Sequence, residues 1–70
     1  MARKNIYNVY WYPIVPFDCE KESTYIFANN AREAMNHPMF EKVQVVEARL
    51  VTGREEEEAR QYGWCRNKEN

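Results

Sequence analysis

Ile6-Tyr7-Asn8-Val9-Tyr10-Trp11-Tyr12-Pro13-Ile14-Val15 is the stretch that decides the fold. Tyr7, Tyr10, Trp11, Tyr12 and the nearby Phe17 crowd aromatic rings together, and Ile6, Val9, Ile14 and Val15 add β-branched side chains among them. Such side chains lose χ1 freedom in a helix and pack well on a pleated surface. The stretch therefore reads as a strand, and as the central one, because no other segment is as apolar. Alternation places Tyr7, Val9, Trp11 and Val15 on one face and Ile6, Asn8, Tyr10, Tyr12 and Ile14 on the other. Both faces are rich in apolar groups, so one should meet a helix and the other needs cover or a partner. Pro13 has no N–H to give a ladder, so regular pairing is expected to stop or bulge near Tyr12.

Working outward, residues 16–23 form a polar link, and Thr24-Tyr25-Ile26-Phe27-Ala28 reads as a short second strand. So brief a link favours an antiparallel hairpin. Asn30 is a good helix N-cap, with Glu33 at the capping-box spacing and Ala31, Ala34 and Met35 as an apolar stripe. Pro38 disfavours helical geometry at His37, so this helix should end near Asn36 or His37, with a further turn through Met39 and Phe40 as an alternative.

Lys42 to Val51 is the third strand, with Val46, Ala48 and Leu50 on one face and Val43, Val45, Glu47, Arg49 and Val51 on the other. A strand-helix-strand crossover makes strands two and three parallel, with the first strand between them and antiparallel to both. Thr52 and Glu55 repeat the capping-box spacing, and Glu55 to Glu58 fill the first turns of a second helix. Gly63 reads as the C′ residue, closed by Trp64. With little apolar face beyond Ala59 and Tyr62, this helix is expected at the periphery, followed by a frayed tail from Arg66. The expectation is one α+β domain over residues 1–70. It has a three-stranded sheet of ββαβ order (spatial order 2-1-3), one packed helix and a C-terminal acidic helix.

Composition narrows the function classes. Ten Lys and Arg against eleven Asp and Glu leave a net charge of −1, without the basic field of a nucleic-acid binder. No apolar run approaches the roughly 20 residues of a membrane span and no signal-peptide pattern opens the chain, so it reads as cytoplasmic. In that compartment Cys19 and Cys65 are expected as two free thiols rather than a disulfide. Two isolated cysteines and the single His37 do not make a zinc set. Glycines only at positions 53 and 63 leave no phosphate-cradling loop. No nucleophile stands in a recognisable motif, and His37 reads as a helix-end residue. We therefore expect neither an enzyme nor a cofactor.

The binding candidates are Tyr10 and Tyr12, on the face that one short helix cannot cover, and the acidic run Glu55, Glu56, Glu57 and Glu58. Exposed tyrosines are enriched at protein interfaces, and an acidic surface can steer a basic partner. The leading expectation is a small protein that acts by binding another protein. In its size, isolated α+β design and lack of catalytic residues, the chain resembles small bacteriophage accessory proteins, including the anti-CRISPR inhibitors. That resemblance implies stoichiometric binding to a host protein or complex. Two other readings stand beside it. One is a nucleic-acid module stacking bases on the aromatic face. The other is a homo-oligomer holding a small ligand among the tyrosines, with Asn8 or His37 as polar anchors. Self-pairing of the edge strands would supply the oligomer.

Overall fold

A computed structural model describes residues 3–13 and 20–69. Strands β1 (Asn5–Pro13), β2 (Glu22–Ala28) and β3 (Val43–Val51) form one sheet of order β2-β1-β3, with β1 antiparallel to both neighbours. Helix α1 (Ala31–Met35) and a 3-10 turn (Pro38–Phe40) connect β2 to β3, and helix α2 (Gly53–Tyr62) follows β3. The expected α+β architecture and strand order are both present. Ile14, Val15, Phe17 and Cys19 lie outside the described residues, and with them the pairing of Cys19 and Cys65. No helix among the described residues is long and apolar enough to cross a membrane.

Local chemistry sets the ends of α1. Asn30 Oδ1 accepts from the Glu33 N–H at 2.8 Å, while Glu33 reaches back to both the backbone and side-chain amides of Asn29. The back-reaching carboxylate thus engages the residue before the cap rather than the cap itself. The helix stops with Asn36 as its C-cap, and the chain resumes through Pro38 to Phe40 in the alternative turn the sequence allowed. His37 caps that turn, its Nδ1 accepting from the Met39 N–H at 3.2 Å.

One sheet face carries the main core. Tyr7, Val9, Ile26, Ala28, Ala34 and Phe40 are buried together, with Trp11, Val43, Val45 and Ala48 packed against them. Trp11 keeps its indole N–H satisfied by donating to Thr24 Oγ1 at 3.0 Å. Val43 and Val45 correct the expected faces of β3. Tyr10 pairs with Glu47 but Trp11 pairs with Val45, so Val46 is an extra residue. A β-bulge inserts one unpaired residue and reverses the alternation beyond it. Val43 and Val45 therefore join Ala48 on the core face, while Glu47, Arg49 and Val51 face the other way.

The second face is half covered, and α2 covers more than its composition promised. Ala59 is fully buried against Ile6 and Val51, with Phe27, Tyr25 and Cys65 around them. The second capping box is absent: Thr52 is the N-cap but its side chain makes no capping bond. Gly63 adopts the left-handed conformation at φ 67°, and the Trp64 N–H reaches the Ala59 carbonyl at 3.0 Å. These are the C′ glycine and the C″-to-C3 bond of a Schellman terminus.

The tail is not frayed as expected. The Arg66 N–H donates to the Tyr25 carbonyl at 2.9 Å. Asn67 then uses its amide as a strand would use its backbone. Oδ1 accepts from the Phe27 N–H at 2.8 Å, and Nδ2 donates to the Phe27 carbonyl at 2.9 Å. The outer edge of β2 is occupied by the chain's own C-terminal segment, a common protection against edge-to-edge aggregation. Arg60 ties the arrangement together. Its guanidinium donates to the Lys4 carbonyl at 2.7 Å, pairs with Glu56 and Glu69, and lies over the Phe27 ring.

Candidate protein-interaction face

The register of β1 places Asn8, Tyr10 and Tyr12 in line on the second face, beyond the end that α2 covers. Tyr10 and Tyr12 are half-buried. Two cations flank the Tyr10 ring, Lys21 Nζ at 5.2 Å and the Arg49 guanidinium at 5.4 Å from its centroid. Cations over a tyrosine face are held by the ring quadrupole. Glu47, opposite Tyr10 in the ladder, holds the Arg49 Nε at 3.0 Å and so fixes one of these cations. Tyrosine and arginine are the side chains over-represented among interface residues that carry large binding energies.

Asn8 lies deeper. Its Nδ2 donates to the Tyr10 hydroxyl at 3.2 Å, and its buried Oδ1 has no hydrogen-bond partner among the described residues. An unsatisfied buried acceptor costs about 1–3 kcal/mol. Asn8 faces Tyr25 in the ladder, and the Tyr25 hydroxyl donates to Glu55 Oε2 at 2.6 Å. Tyr10, Asn8, Tyr25 and Glu55 thus form a continuous polar-aromatic line from the open half of the sheet to α2.

Glu55 consequently belongs to this line rather than to a capping box. The rest of the acidic run is divided. Glu56 is engaged by Arg60 at 2.9 Å and Glu58 by Arg54 at 3.3 Å, while Glu57 is exposed. Sequence reasoning missed a second aromatic group beside Glu55. The rings of Tyr25 and Trp64 lie 5.4 Å apart, and Tyr62 stacks on Trp64 at 6.3 Å with Tyr62 65% exposed. Trp64 after Gly63 was the available signal: a residue placed by a helix terminus can carry surface as well as close it.

No protein family, curated protein or solved structure matches the chain. The site must be read from its own chemistry. Among the described residues, no three His, Cys, Asp or Glu side chains converge as a metal set. On the core face an open groove of ≈ 260 Å³ lies between Trp11, Thr24, Phe40 and Val43, with Met39 and Arg66 at its lining.

Two titrations follow from these contacts. Donation to Glu55, with burial and the nearby negative charge adding to it, pushes the Tyr25 phenol up from 10.0 to about 12. Burial pushes the Cys65 thiol up to about 11. Both shifts favour the protonated form in the folded state. Stability from Tyr25 is thus full below pH 10 and lost as pH rises towards 12, with solvent screening reducing its size. We expect Tyr25, followed by NMR through an alkaline titration of the folded protein, to ionise above the ordinary tyrosine value of 10.0. Glu55→Gln should bring it back towards that value; an unchanged titration would remove Glu55 as the cause.

Proposed function

We propose that this chain is a non-enzymatic binding protein, acting in the cytoplasm by docking a protein partner on the open half of the second sheet face. The observation that carries the reading is Tyr10 and Tyr12 part-exposed on that face, with Lys21 and Arg49 beside the Tyr10 ring. The tyrosine rings supply flat, low-entropy contact area, and the cations beside Tyr10 add charge at its rim. Glu55, held by Tyr25 where α2 meets the sheet, would meet a basic group at the rim. A stoichiometric inhibitor of a host protein, as the likeness to phage accessory proteins implies, is the form of this activity that needs no catalytic group.

The test compares the tagged wild-type chain with Tyr10→Ala and Tyr12→Ala in affinity capture followed by titration against the captured protein. Each substitution is expected to weaken binding by about tenfold or more, the range for truncating an interface anchor. Circular dichroism and the melting temperature should stay near wild type. Loss of the fold in both variants would make the tyrosines core residues and sink the proposal.

The two cations around Tyr10 also favour a second reading, base stacking on an aromatic platform with basic neighbours. Capture of nucleic acid instead of protein, with affinity falling steeply with salt, would select it.

A further inference from the structure

The two edges of the sheet are treated differently. Tyr25 and Phe27 of β2 direct backbone groups outward to Arg66 and Asn67, so that edge is filled. Among the described residues, no strand lies along the outer edge of β3. There the exposed residues include Val46, 45% accessible, and Leu50, 53% accessible, on either side of Ala48. A nine-residue edge strand with exposed aliphatic side chains is a template for another strand.

The direction of its free backbone groups can be derived. In an antiparallel ladder each residue turns both its N–H and its C=O to one side, alternately. Phe27 bonds outward, so its ladder partner Ile6 must bond to β3, and Asn8 likewise. Their partners Val51 and Arg49 therefore point inward, and Ala48 and Leu50 present their N–H and C=O groups to the open edge.

We propose that β3 pairs with β3 of a second copy, antiparallel, about a twofold axis at Ala48. Ala48 then faces its own counterpart as a hydrogen-bonded pair, and Glu47 of each copy faces Arg49 of the other. These flanking positions are the non-hydrogen-bonded pairs, where side chains approach most closely. Leu50 of each copy then lies beside the bulge at Val46 of the other, where the regular ladder ends. The register is selected by charge. A shift of one pair of residues in one direction sets Glu47 against Glu47; the opposite shift sets Arg49 against Arg49. Only the Ala48-centred register matches both the outward backbone groups and the charges.

The existing Glu47–Arg49 contact at 3.0 Å becomes half of a square of alternating charges. Pairing about such an axis joins three strands from each copy into one sheet and keeps both Tyr10 faces on the same side. The far edges are the tail-covered β2 edges, so assembly closes at two rather than growing into a fibre.

Sedimentation equilibrium over a concentration series tests this with the full chain. The wild type is expected to sediment as a dimer of the 8.5 kDa chain. Glu47→Arg and Arg49→Glu, each placing like charges together twice across the axis, should each weaken dimerisation by about tenfold or more. The double swap, Glu47→Arg with Arg49→Glu, keeps the complementarity and should restore the dimer, with circular dichroism confirming that all forms fold. A wild-type chain that stays monomeric into the millimolar range overturns the proposal and leaves the edge to a foreign strand. Single variants that dimerise as tightly as wild type, or a folded double swap that stays monomeric, overturn the register and with it the proposal.

Discussion

Ile6→Ala is expected to destabilise the domain by about 2–5 kcal/mol, as much as Ile26→Ala, although the two side chains lie on opposite faces of the sheet. Both are fully buried. Ile26 belongs to the main core cluster under α1 and the 3-10 turn. Ile6 is buried only because Ala59 of α2 and the segment around Cys65 fold over the second face. Truncation removes contacts and leaves a void that close-packed neighbours fill incompletely. A domain of this size has only a few kcal/mol in reserve, so either change should leave a large unfolded fraction at room temperature. Urea unfolding of the two variants side by side measures this. If Ile6→Ala costs less than about 1 kcal/mol while Ile26→Ala costs the expected amount, α2 does not pack as described.

The second large effect is expected at Arg60. Its side chain is 16% exposed and joins four parts of the chain: the Lys4 carbonyl before β1, Glu56 on α2, Glu69 in the tail and the Phe27 ring on β2. Hydrogen bonds to a charged group contribute about 1.5–3 kcal/mol, more than neutral ones. Arg60→Met keeps the aliphatic stem over Phe27 and removes the charge, so packing and electrostatics are separated. We expect it to cost about 2 kcal/mol, lowering the melting temperature by roughly 10 °C. The loss should come with faster hydrogen exchange at the Phe27 amide, since releasing Glu69 loosens the tail that holds it. Exchange at Phe27 unchanged beside a lower melting temperature would show that the tail docks without Arg60.

The candidate face was legible only in part. Tyr10 and Tyr12 could be assigned to the uncovered face because strand alternation is a local rule that holds along β1. Glu55 to Glu58 could be placed on a helix start, but their partners could not be foreseen. Glu55 is engaged by Tyr25, 30 residues earlier in the chain, and nothing local to either residue encodes that contact. Asn8 read as one polar residue in an apolar strand; its burial and unsatisfied carbonyl depend on what lies above it.

The sequence by itself determined the three strands, their order, the Asn30 cap of α1 and the Gly63 terminus of α2. Each rests on backbone preferences, spacing or side-chain period over a few residues, and the strand order follows from short connections. Only the tertiary structure decided the bulge at Val46, the burial of Ala59, the docking of Asn67 on Phe27 and the difference between the two sheet edges. These depend on residues far apart in sequence, 40 positions in the case of Asn67 and Phe27. A side-chain amide replaces a strand, or an extra residue reverses a face, only when a particular neighbour stands opposite it. That neighbour is supplied by the packing of the whole chain, and no local pattern records it.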